Sequence, residues 1–195
     1  MSALAGGVDE ITDISQKILT RFGLYKREDI SNENLYSSKS KGTIAGEGAA
    51  FFLLSNQPSD YNYAVFDSLK TFYKPESTKD AEKEILSFLK EQSIHKDDID
   101  LILTGKNGDV YEDEAYNFLG QSIFQNKTLI NYKHLCGEYP TATAFALWLG
   151  ANIIKTNSVP LIVARAKIKT EKIKNILIYN HYQNIHHSLL LISAC

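Results

Sequence analysis

Residues 98–108 read Asp98-Ile99-Asp100-Leu101-Ile102-Leu103-Thr104-Gly105-Lys106-Asn107-Gly108, a short apolar run that ends in a glycine-rich turn. Bounded this way, 99–104 is predicted to be a strand. Working outward, 78–92 carries Ala81, Ile85, Phe88 and Leu89 three and four apart, the stripe of an amphipathic helix, with Ser77 and Asp80 spaced as a capping box. On the other side, 112–124 repeats the pattern with Ala115, Phe118, Leu119 and Ile123. A strand over 128–132 follows, and then a helix over 140–155 with Ala144, Phe145, Trp148, Leu149 and Ile153 after Pro140, a residue suited to a first turn. Strand, helix, strand, helix in this order predicts an α/β layered domain with parallel pairing.

Further apolar or β-branched runs at 48–54, 62–68, 161–165, 175–180 and 188–193 read as strands. The last two, joined by 181–187, read as antiparallel neighbours. Near the start, Ile11, Ile14, Ile18 and Leu19 mark another helix, and 27–43, rich in Ser, Asn and Lys, reads as a surface loop. Phe145 and Trp148 are read as core. No repeat, low-complexity tract or domain boundary interrupts the chain, so 1–195 is expected to be one domain.

The 195 residues are 44% hydrophobic and 23% charged, with a formal net charge of −2. That apolar share excludes a disordered chain, and the near-neutral balance argues against a nucleic-acid partner. No run approaches the roughly 18 apolar residues of a membrane span, and residues 1–7 show no basic leader, so a cytoplasmic protein is expected. Two cysteines, Cys136 and Cys195, do not make a disulfide framework. Of 21 cationic residues only Arg21, Arg27 and Arg165 are arginine, a usage read as A/T-rich coding bias.

No single motif carries a chemistry. Gly46-Glu47-Gly48 and Gly105-Lys106-Asn107-Gly108 do not complete a phosphate-binding fingerprint, and there is no Gly-x-Ser-x-Gly elbow. His181, His186 and His187 crowd one stretch without Cys or carboxylate partners at ligand spacing, so no metal site and no cofactor are expected.

Taken in order, the pieces resemble the C-terminal half of the beta-ketoacyl synthases of the thiolase superfamily. Ala5-Gly6-Gly7-Val8-Asp9-Glu10 looks like that family's Gly-Gly-x-(Asp/Glu) turn. The stretch Gly42-Thr43-Ile44-Ala45-Gly46-Glu47-Gly48-Ala49-Ala50 is similar to its Gly-Phe-Val-x-Gly-Glu-Gly-Ala segment, with Phe51-Phe52-Leu53-Leu54 as the strand that follows. Thr104 to Gly108 stand where the family has His-Gly-Thr-Gly-Thr, and Glu112-Asp113-Glu114-Ala115 resembles the acidic start of its next helix. Lys133-His134-Leu135-Cys136-Gly137-Glu138 sits on Lys-x-x-x-Gly-His, and Thr141-Ala142-Thr143-Ala144 replaces a Gly-Ala-Ala-Gly helix entry. Residues 175–193 resemble the closing strand pair, with His181 to His186 in place of Gly-Phe-Gly-Gly-Thr-Asn.

The resemblance implies a thiolase-like half: a mixed, mostly parallel sheet layered with helices, an antiparallel strand pair at the C-terminus, and 140–155 as its buried helix. It also implies condensing chemistry, which this chain alone is not expected to perform. The family's pattern begins here in mid-chain, so the segment with the nucleophilic cysteine is not present, and neither Cys136 nor Cys195 matches it. Thr104 and Glu138 hold the two histidine positions, and only Lys133 matches its family counterpart. Thr104 cannot transfer a proton as histidine does, and an ionised Glu138 would repel a developing oxyanion. The resemblance therefore implies a non-catalytic, chain-length-factor-like subunit. Its partners would be an active ketosynthase, or itself as a dimer, and acyl carrier protein, because a half fold leaves apolar surface to cover. The alternatives are half of a composite 3-oxoacyl-[acyl carrier protein] synthase whose nucleophile lies on another chain, and a stand-alone ligand-binding module.

Overall fold

The first residues alternate small and apolar side chains, and in the computed structural model, which describes residues 1–164 and 172–195, they are extended. Strand β1 (Ser2–Asp9) pairs antiparallel with β2 (Gly48–Ser55) to form a two-stranded ribbon. The Gly6-Gly7 pair, expected as a turn, is thus mid-strand. Crowding explains the glycines: a Cβ on Gly6 would lie 2.3 Å from the Ala50 carbonyl oxygen, and one on Gly7 would lie 2.8 Å from Thr141. Between these strands comes α1 (Asp13–Arg21), whose Thr12 cap and Ser15 satisfy each other's backbone as a capping box.

The larger sheet has five strands. They are β3 (Val65–Tyr73), β4 (Leu101–Thr104), β5 (Thr128–Asn131), β6 (Asn175–Tyr182) and β7 (His186–Ser193), in the order β3-β7-β6-β4-β5. β4 runs parallel to both β5 and β6, while β7 is antiparallel to β6 and to β3. The mixed sheet and the closing antiparallel pair agree with expectation. The hairpin connection is shorter than expected: Tyr182 already pairs with His186, and Gln183 and Asn184 make the turn with positive φ (55° and 52°).

Helices cover both faces of this sheet. On one side lie α2 (Thr78–Glu91) and α3 (Glu114–Gln121), whose Ile85, Phe88, Leu89, Tyr116 and Leu119 pack on Ile102, Leu177 and Leu189. After β5 the chain makes one helical turn, α4 (Lys133–Cys136), and then enters α5 (Ala142–Thr156). Helix α5 packs its Ala146, Leu149 and Ile153 on Leu101, Leu103, Ile176, Ile178 and Ile192, on the opposite face. The alternation of Leu101 and Leu103 against Ile102 is the period of two that lets one strand feed both layers.

Helix α5 also touches β2, so it lies between the ribbon and the large sheet. Asp9 at the end of β1 clasps it there, accepting from the Thr141 amide at 2.8 Å and its hydroxyl at 2.5 Å. Beside α5 an apolar cavity of about 350 Å³ opens between Ala5, Phe52 and Leu54 of the ribbon and Leu69 and Leu190 of the sheet. The buried-helix expectation for 140–155 holds, with one correction: Trp148 is half exposed and leans on Phe145 at a ring-centroid distance of 5.4 Å.

A second correction concerns 161–165. Residues 161–164 form a helical turn, α6 (Leu161–Ala164), because Pro160 stands at its entry and its carbonyl accepts from the Val163 and Ala164 amides. Residue 165 lies outside the described residues. Among the described residues no helix is long and apolar enough to cross a membrane.

Candidate functional site

Parallel strands place loops at their carboxyl ends, where α/β proteins build sites. Here β4 and β5 end side by side, with Thr104 in register with Asn131. The loop after β4 is folded by its own carboxylates. Asp113 accepts from the amides of Asn107 (2.9 Å) and Gly108 (3.0 Å), and Asp109 accepts from those of Gly42 (2.5 Å) and Tyr111 (2.9 Å). Thr43 donates to the Asn107 carbonyl, and the Lys26 ammonium donates to that of Gly108. Gly108 has φ +84°, and a Cβ there would run into Leu35.

After β5, α4 begins at Lys133 and ends at Gly137, whose φ of +74° turns the chain back. That turn brings Glu138 alongside 44–46: its amide donates to the Ile44 carbonyl, and its carbonyl accepts from the Gly46 amide. Glu138 Oε2 then lies 2.5 Å from Lys133 Nζ and accepts from Asn107 Nδ2 at 3.0 Å. The same Asn107 amide donates to Glu112 at 3.2 Å. Lys133 is fully buried and Glu138 is 8% exposed. An isolated charge in such a place is untenable, so this pair, with Asn107 bridging to Glu112, satisfies a demand of burial before it serves anything else.

The surrounding acids carry the same signature. Burial pushes Asp113 up to about 6, against the pull of the Asn107 and Gly108 amides. Burial also raises the Glu112 carboxyl above its ordinary range; the Asn107 bond opposes this, and the charges of Asp109 and Glu138 add to it. Thr104 stands apart: it is buried and donates to Asn131 Oδ1 at 2.5 Å. Of the three expected positions, then, Lys133 and Glu138 meet directly and Thr104 is bonded elsewhere.

No activated nucleophile lies nearby among the described residues. Burial pushes the Cys136 thiol up to about 12, outweighing the pull of Lys133, and Cys195 is exposed at the terminus. His181 and His187 are cross-strand partners in the β6–β7 hairpin, both buried. His181 stacks on Tyr116 with ring centroids 4.5 Å apart, and burial holds it well below the ordinary imidazole range, so it stays neutral. The Tyr179 hydroxyl and His187 Nδ1 lie 2.9 Å apart. No three His, Cys, Asp or Glu residues among those described are placed to hold a metal ion.

Asn107, Glu112 and Asp113 complete the cluster, and reading the sequence did not single them out as site residues. Their signal was the acidic run at 112–114, read only as a helix start; nothing about one asparagine in a turn marks it as a bridge.

No protein-family model matches the chain, and no match was found among the curated proteins. Solved structures do match. The ketosynthase from module 6 of the bacillaene synthase from Bacillus subtilis 168 superposes with a TM-score of 0.79 at 14% identity, over 100% of this chain and 42% of that one. A structure described as the ishigamide ketosynthase/chain length factor gives 0.77 at 13% identity, over 100% of this chain and 54% of that one. A type II PKS acyl-carrier protein in complex with its ketosynthase bound to the hexaketide gives 0.77 at 16% identity, over 100% and 56%. This chain spans about half the length of these structures. At such identities the likeness is one of fold, and the fold is that of a ketosynthase-like, thiolase-type half.

Proposed function

We propose that this chain is a non-catalytic beta-ketoacyl-synthase-like subunit of the chain-length-factor kind, acting with an active ketosynthase and an acyl carrier protein in acyl-chain biosynthesis. One observation carries the reading. The residue at the family's second histidine position, Glu138, is held by Lys133 and Asn107 in a buried ion pair, so neither partner is free to stabilise an oxyanion or move a proton. Thr104, at the first histidine position, is engaged with Asn131, and Cys136 is not poised as a thiolate. Two of the similar folds described above are a ketosynthase/chain length factor and a ketosynthase in complex with an acyl-carrier protein, which favours the same class of partner.

The test is reconstitution with a complete ketosynthase and an acyl carrier protein. The chain alone should give no condensation with a malonyl-loaded carrier, and it should copurify with the ketosynthase and alter product length. No association with either protein would overturn the proposal. Condensation supported by a ketosynthase whose own histidines have been replaced would transfer it to a composite active site.

A further inference from the structure

At one end of the large sheet, Phe72, His187 and His181 stand in register across β3, β7 and β6, and Tyr116 of α3 roofs this row by stacking on His181. The next residue along each strand points to the opposite face, which sets Tyr73, His186 and Tyr182 in a second row. This row is aromatic throughout and open: Tyr73 is 68% exposed, Tyr182 is 45% exposed, and His186 is exposed as well. Helix α5 covers the same face only up to Asn180, whose Nδ2 donates to Thr143 in the first turn of that helix at 3.0 Å. Tyr182 lies two residues further, beyond the helix. Cross-strand pairing accounts for the Tyr73–His186 contact, with ring centroids 5.1 Å apart. It does not account for a third ring in the same row beside the candidate site.

We propose that this row is a binding platform for a planar conjugated acyl group, an aryl or polyene acyl in preference to a saturated one. The row crosses two strand spacings, about 10 Å, comparable to an aromatic ring joined through one conjugated double bond to a carbonyl. Aromatic rings reward a flat π-system with stacked or edge-on geometry, which a flexible alkyl chain does not supply. Thr71 and Ser188, paired in the adjoining row of the same face, offer hydroxyls to the carbonyl of such a group. Charge selects further. Burial first, and then the charges of Glu112 and Glu138, raise the Tyr182 phenol against a hydrogen bond with Gln183. The platform therefore borders negative charge and suits a neutral thioester better than a free carboxylate or a phosphate. The acyl nature of the ligand rests on the proposed function; the platform adds which class of acyl group is held.

Binding to the purified full chain tests it, with two neutral probes, the N-acetylcysteamine thioesters of cinnamic and hexanoic acid. The cinnamoyl probe should bind saturably and about fivefold more tightly than the hexanoyl probe, with hypochromism of its ultraviolet band as it stacks. Tyr73→Leu and Tyr182→Leu should each reduce that preference with unchanged circular dichroism, since both rings are largely solvent-facing, whereas Tyr73→Phe and Tyr182→Phe should retain it. Equal affinity for the two probes, no saturable binding of the cinnamoyl probe, or a preference that survives both leucine variants would each overturn the platform. A chain that pairs with a ketosynthase yet shows no preference between the probes refutes the platform alone. A chain that prefers the cinnamoyl probe and associates with no ketosynthase refutes the proposed subunit role and upholds the platform.

Discussion

Lys133 Nζ lies 2.5 Å from Glu138 Oε2 across the one-turn helix α4, with the ammonium fully buried and the carboxylate nearly so. Each group is there because the other is. Removing one leaves an uncompensated charge, whereas removing both removes the demand. Glu138→Ala should therefore destabilise the chain by about 3–5 kcal/mol. Lys133→Met combined with Glu138→Leu should restore most of that loss. Urea denaturation of Lys133→Met, Glu138→Leu and the double variant reads the difference, and additive losses in the double variant would count against the pair as described.

Stability should fall as pH rises between about 4 and 6. Asp113 titrates near 6 in the folded chain, above the ordinary 3.8 of an unfolded aspartate, and Glu112 is shifted in the same direction. In that window the folded state holds protons that the unfolded state has released, so their stabilising effect is complete below the unfolded value and is lost through the folded one. Asp113→Asn should flatten the slope in a series of denaturation midpoints; a slope unchanged by the substitution would assign it elsewhere.

The two cysteines should differ in reactivity. Cys136 is partly buried with its thiol pushed up to about 12, while Cys195 is exposed. Iodoacetamide at mildly alkaline pH should label Cys195 and spare Cys136 until denaturant is added, which peptide mass spectrometry resolves.

Along α5, burial rather than size should set the cost of truncation. Ile153 is 1% exposed, and Ile153→Ala should cost about 2–5 kcal/mol. Trp148, though larger, is half exposed, and Trp148→Ala should cost less than Ile153→Ala in the same thermal or urea titration.

What could be read from the sequence followed from periodicity. Helices α2 and α5 and strands β4 to β7 carry apolar spacings strong enough to show where they pack, and Ala81, Ile85, Phe88 and Leu89 are all buried as spaced. Strand β1 was not legible because alanine and glycine blur the alternation that marks a strand, and close packing against Ala50 and Thr141, not propensity, demands them. The run at 161–164 has strand composition, yet Pro160 imposes a helical turn there. At the site, Lys133 and Glu138 were named from their positions. The asparagine that joins Glu138 to Glu112 depends on a contact across 31 residues, which no local spacing records.

The clasp between Asp9 and Thr141 ties together points 132 residues apart in the chain. During synthesis the strand ending at Asp9 leaves the ribosome before Thr141 and has no helix to close on until that residue follows. At about 5–20 residues per second that wait is on the order of ten seconds. For that interval the side of the ribbon that α5 later covers stands open, so yield depends on how quickly the middle of the chain is translated as well as on how stable the finished fold is.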